Sequence, residues 1–144
     1  MADYETNSLV FPASKEYLGE TLSQLRQYVT EVAERAGLEK ATMHRLRLAI
    51  DEIATNIIVY GYADRGEGEI RVTTSIDDEF VTISLEDTGI PFDPTQREMP
   101  DNFDDPLEER EIGGLGIYLA INGVDDFRYE RVGECNRNHF TVRR

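Results

Sequence analysis

Residues 50–62 read IDEIATNIIVYGY, and the architecture follows from the periodicity of this stretch. Ile50, Ile53, Ile57 and Tyr60 continue an apolar stripe that begins at Leu46. Its steps of three and four residues are those of a helix buried along one side. Gly61 and the polar run Ala63-Asp64-Arg65-Gly66 end it, so the spacing predicts a helix from about Glu39 to Tyr60. Upstream, Leu18, Leu22, Leu25, Val29, Val32 and Ala36 recur with the same steps before Gly37, with Ser14 as a plausible N-cap. Glu5 to Phe11 alternates weakly and reads as a strand closed by Pro12. Downstream the period changes to two. Ile70, Val72 and Ile76 mark a strand, Asp77-Asp78-Glu79 a turn, and Val81, Ile83 and Leu85 a second strand, which a turn this short makes antiparallel to the first.

Residues 90–112 break this regularity. Four of the five prolines (Pro91, Pro94, Pro100, Pro106) fall there, with eight acidic residues against Arg97 and Arg110. A connection this long in a small domain is expected to be a lid or binding loop, or else disordered. A short helix led by Gly113, Gly114 and Gly116 follows, then two strands near Phe127–Arg131 and Arg137–Arg143. The expected fold is therefore α+β, with helices on one face of a largely antiparallel sheet. It is expected to form one domain over residues 1–144, with the lid at about 90–112.

Composition narrows the function classes. A chain of 144 residues, 40% hydrophobic, can bury a core. Its 29 acids against 15 bases leave a net charge of −14, which argues against a nucleic-acid partner. The same charge favours basic protein partners, although solubility alone also explains it. No apolar run approaches the roughly 20 residues of a membrane span. MADYETNSLVF lacks the basic and apolar regions of a signal peptide, and the lone Cys135 cannot form an intrachain disulfide. The expectation is a cytoplasmic protein.

Three elements can carry chemistry. Glu52 and Asn56 stand four residues apart, about 40° apart around the helix, on the flank of its apolar stripe. A carboxylate there can accept a proton from a hydroxyl, and an amide oxygen suits Mg²⁺; the plain alternative is two helix-surface polar residues. In Asp87-Thr88-Gly89, alternation puts Asp87 on the apolar face of its strand, where a carboxylate needs a partner such as a purine amino group. The alternative is an Asp that caps its own turn. Gly89 lets the chain turn, or lets something approach the backbone closely. Gly113-Gly114-Leu115-Gly116 opens a helix whose free N–H groups can take an anion. No Lys-Ser or Lys-Thr follows, which excludes a P-loop, and no strand leads in, which disfavours a Rossmann turn. A hinge or close helix packing would also use such glycines.

Taken in order, these elements resemble those of the histidine-kinase-like ATPases, the superfamily of gyrase, histidine kinases and mismatch-repair ATPases. Glu52-x-x-x-Asn56 matches its N box, Asp87-Thr88-Gly89 its first glycine box, and Gly113-Gly114-Leu115-Gly116 its second. The short stand-alone form resembles the bacterial anti-sigma factor serine/threonine-protein kinases. The resemblance implies a Bergerat-type ATP-binding sandwich, a mixed and mostly antiparallel sheet with helices on one face. It implies Glu52 as general base toward a serine or threonine hydroxyl on a STAS-domain anti-anti-sigma partner, and Asn56 as the Mg²⁺ ligand. It further implies Asp87 at the adenine amino group, Gly89 packed close to the base, and Gly113, Gly114, Leu115 and Gly116 at the phosphates. Arg110, from its place in the lid, is expected at the terminal phosphate, and Thr141 is expected to add a water-mediated adenine contact. A sigma factor as second partner and a homodimer also belong to this expectation. The other function class is a non-catalytic, ATP-dependent binding module that sequesters a sigma factor or another regulator. The family's first box usually continues Asp-x-Gly-x-Gly; here the second glycine is Pro91. Proline fixes φ and removes a donor, so the lid's first hinge should be stiffer, which bears on lid closure more than on nucleotide binding.

Overall fold

Alternation along the second half of the chain builds the sheet that everything else packs on. The computed structural model describes residues 5–62, 68–96 and 114–144. Strand β1 (Glu5–Pro12) leads through a single 3₁₀ turn, Lys15–Tyr17, into helices α1 (Leu18–Ala36) and α2 (Lys40–Asn56). Strands β2 (Glu69–Ile76) and β3 (Phe80–Asp87), a second 3₁₀ turn at Pro94–Gln96, helix α3 (Gly114–Asn122) and strands β4 (Asp126–Val132) and β5 (Cys135–Arg143) follow. The five strands lie in the order β1-β2-β3-β5-β4. Against the expectation of a mixed sheet, every pairing among the described residues is antiparallel.

The local signals explain the elements. Ser14 Oγ accepts from Glu16 N at 3.3 Å and so caps the 3₁₀ turn that precedes α1, not α1 itself. Gly37 ends α1 in the left-handed region at φ 71°, where a side chain would be strained. Asp77 Oδ1 accepts from the N–H groups of Glu79 and Phe80, both at 2.8 Å, and closes the β2–β3 hairpin as an Asx turn. The expected stripes are the buried ones: Leu22, Leu25, Val29 and Val32 of α1 and Leu46, Ile50 and Ile53 of α2 pack on Ile70, Val72, Val81, Ile83, Leu85, Phe140 and Val142 of the sheet. Tyr60 departs from its stripe and is 42% exposed. The chain leaves the α-helical ladder after Asn56 and runs as a π turn over Ile57–Gly61, which rotates its last side chains away from the 3.6-residue register. No helix among the described residues is long and apolar enough to cross a membrane.

Candidate functional site

The cleft lies where the end of α2 meets the ends of β3 and β5. Alternation carries Asp87 inward with Val81, Ile83 and Leu85, and it is 3% exposed. One of its oxygens, Oδ1, accepts from Gly89 N at 2.9 Å and from Asn136 Nδ2 at 3.0 Å. The other, Oδ2, is buried with no hydrogen-bond partner among the described residues. Burial pushes the carboxyl above the usual range, although the bonds from Asn136 and Gly89 favour its ion. Asp87 lines a cavity of about 370 Å³ with Ile53, Asn56, Ile57, Tyr60 and Gly61 from α2 and its π turn. Ile90, Phe92 and Pro94 close one side, and Asn136 and Asn138 of β5 complete the wall. Asn138 Oδ1 is a second buried acceptor without a partner among the described residues. An apolar cavity of this size with buried, unmatched acceptors suits a flat heterocycle that carries N–H donors.

The turn after Asp87 is locked to the end of α2 by backbone contact. Ile90 N donates to Gly61 O at 2.9 Å. A Cβ on Gly89 would lie 2.5 Å from that same carbonyl oxygen. Glycine is therefore needed at 89 for space, and what approaches it so closely is the Gly61 backbone, not the base that the resemblance implies. Tyr62 braces the junction: its hydroxyl donates to Glu69 O and accepts from Thr88 N, both at 2.8 Å.

Glu52 sits half-buried on α2 one helical turn before Asn56, next to the cavity but not among the residues that line it. Burial, and after it the charge of Asp51, holds its carboxyl above the usual range. Asp51 is itself paired with Arg26 at 2.7 Å. Helix α3 begins directly over Glu52: a Cβ on Gly116 would stand 2.7 Å from Glu52 Oε2. The base candidate and the glycine-led helix are thus in contact, an arrangement that brings a proton acceptor and a helix N-terminus to one place.

The profile of the histidine kinase-like ATPase domain matches residues 16–142. The chain belongs to that family. Among curated relatives of this ATPase domain, the serine-protein kinase RsbW of Oceanobacillus iheyensis is 29% identical over 131 residues, 89% of this chain and 80% of the relative. The serine-protein kinase RsbW of Listeria monocytogenes serotype 4a is 29% identical over 124 residues, 84% of this chain and 76% of the relative. Among solved structures, the RsbU and RsbW domains of Rv1364c from Mycobacterium tuberculosis superpose with a TM-score of 0.61 at 19% identity. That match covers 96% of this chain and 32% of the other, and it shows a shared fold.

Of the expected residues, Asn56 and Asp87 line the cavity, Gly89 stands beside it in the turn after Asp87, and Glu52 and Gly116 meet one helical turn before Asn56. Gly114 and Leu115 form the first positions of α3. Arg110, Gly113 and most of the expected lid lie outside the described residues. Thr141 does not join the site. It points to the sheet face opposite Asp87, with its Oγ1 3.0 Å from Thr82 Oγ1, because Phe140 and Val142 take the buried positions of β5. The adenine contact expected of it is corrected accordingly. Asn136 and Asn138, which stand on the inward face of the same strand, were missed. The signal was available: two asparagines in alternation with Phe140 and Val142 place polar groups on a buried face.

Proposed function

We propose that this ATPase domain is an ATP-dependent serine/threonine-protein kinase that phosphorylates a STAS-domain anti-anti-sigma protein and serves as an anti-sigma regulator in a partner-switching pathway. The contact between Glu52 and Gly116 carries this reading, because it sets a carboxylate of raised proton affinity against the glycine-led helix, one helical turn from a cavity that can take adenine. The adenine amino group donates to the unmatched Asp87 Oδ2, and the ring packs between Ile53, Ile57 and Phe92. The triphosphate then runs toward α3, where Gly114, Leu115 and Gly116 supply backbone N–H groups. Glu52 accepts the proton of the incoming serine or threonine hydroxyl as its oxygen bonds to the γ-phosphorus, and ADP departs as the leaving group.

Asn56 lines the cavity one turn beyond Glu52, and its amide oxygen is a hard donor of the kind Mg²⁺ takes beside phosphate oxygens and water. A bound Mg²⁺ supplies charge neutralisation on the phosphates. The relatives' names, serine-protein kinase RsbW, support the kinase class. A sigma factor as a second partner is consistent with the net charge of −14.

Labelled ATP, Mg²⁺ and the STAS-domain proteins of the same genome test the proposal. Label should pass to a serine or threonine of one of them with the wild type and not with Glu52→Gln. Absence of transfer by a wild type that binds ATP would replace this reading with the non-catalytic binding module. In that case Glu52→Gln would leave partner binding and every measured activity unchanged.

A further inference from the structure

Asn136 makes more polar contacts than its place on a strand requires. It stands directly across from Asp87 in the β3–β5 register and is equally buried, at 3% exposure. Its Nδ2 lies 3.0 Å from Asp87 Oδ1, 2.9 Å from Ile90 O and 3.3 Å from Gly89 O. An amide nitrogen has two hydrogens for these three acceptors, so one hydrogen is shared. Its Oδ1 accepts from the hydroxyl of Tyr129 on β4. The surroundings fix the amide's orientation, since a flipped Asn136 would turn its oxygen toward three acceptors. Arg131 Nη1 adds a bond to Gly89 O at 3.1 Å.

We infer that Asn136 is a positioning residue for nucleobase selection: by holding Oδ1 of Asp87 it aims Oδ2 into the cavity as the acceptor for an exocyclic amino group. The inference rests on the ATP reading of the site. With Oδ1 bonded to Asn136 and Gly89, rotation of the carboxylate about its Cβ–Cγ bond would break two hydrogen bonds, so Oδ2 keeps one direction. The same amide holds the carbonyls of Gly89 and Ile90, the two residues before Pro91. The turn is thus fixed from the β5 side at the point where the family's second glycine gives way to proline. Tyr129 acts one step further out, by keeping the Asn136 amide in its working orientation.

A turn-stabilising role and an aiming role differ in what they do to selectivity. Calorimetric affinities for ATP and for purine riboside 5′-triphosphate, which lacks the 6-amino group, measure it. The wild type should favour ATP by about 10- to 100-fold, the range of one charge-assisted hydrogen bond. Asn136→Ala should cut that ratio to about 3-fold or less while changing the analogue's affinity little, and Tyr129→Phe should lower it by a smaller factor. Circular dichroism and thermal melts establish that each variant is folded, and should Asn136→Ala fail to fold, Tyr129→Phe decides alone. Equal weakening of both nucleotides, with the ratio kept, overturns the inference and leaves the ATP site standing. A wild type that binds neither nucleotide, or both alike, overturns the adenine reading of Asp87 and the inference with it.

Discussion

The two ends of the cleft are built differently. At the proposed base end Asp87, Asn136, Gly89 and the Gly61 carbonyl interlock through backbone and buried side-chain bonds, and the missing Cβ of Gly89 is answered by a rigid carbonyl. At the proposed phosphate end the missing Cβ of Gly116 is answered by the tip of the Glu52 side chain, a half-buried group with three rotatable bonds. The base end is preorganised, so its cost was met on folding, whereas the geometry of the phosphate end depends on where one flexible carboxylate and one short helix settle. Recognition and chemistry can therefore be perturbed separately, and substitutions at each end test that separation.

The largest effect is expected from Glu52→Gln, which removes the proton acceptor but keeps the shape. Phosphoryl transfer should fall by about 10²- to 10⁴-fold while ATP affinity stays within about 3-fold, as read by labelled-ATP kinetics and calorimetry on one preparation. A parallel fall in affinity would show that the two ends are not separable. Asp87→Ala acts at the other end and should weaken ATP binding by about 10- to 100-fold; unchanged affinity in a calorimetric titration would refute the adenine assignment.

The two glycines sharpen the contrast. Gly89→Ala drives a methyl group into a backbone carbonyl that cannot yield, and thermal or urea unfolding should show a loss of about 1–3 kcal/mol. Gly116→Ala meets a side chain that can swing aside. It should leave the melting temperature near that of the wild type yet slow transfer by about 10-fold or more, because Glu52 is displaced from the acceptor. If both variants lost stability alike, the phosphate end would be as rigid as the base end.

The smallest effect is a pH dependence. The Asp87 carboxyl titrates above its unfolded value, so the empty folded protein holds that proton more tightly than the unfolded chain does. Its contribution to stability is present in full below the ordinary aspartate range and is lost as pH rises through the folded value. Melting temperatures of the wild type relative to Asp87→Asn should therefore decline as pH rises from about 4, the ordinary aspartate range, toward neutrality. A difference flat with pH would mean that burial does not govern Asp87.

Much of the fold was legible because its signals are local. The stripes of α1 and α2, the alternation of β2 and β3, the Asx turn at Asp77 and the stop at Gly37 each depend on neighbours within a few residues. Asp87 was placed inward on the same ground. Thr141 was misplaced although its own strand carried the correction, since Phe140 and Val142 on either side already claim the buried face. The π turn was not legible, because periodicity presumes a helix that keeps its ladder to the end.

The amino-acid sequence by itself determined which residues form helix and strand, which face each element buries, and which three short boxes carry the family resemblance. Those properties follow from periodicity and steric preference along the chain. The tertiary structure alone decided that Gly89 makes room for Gly61, that Gly116 makes room for Glu52, and that Asn136 meets Asp87 across two strands. These pairs are separated by 28, 64 and 49 positions in the sequence. No local preference couples residues so far apart; packing into one sheet with its covering helices does, because only there do segments remote along the chain come into van der Waals and hydrogen-bonding contact.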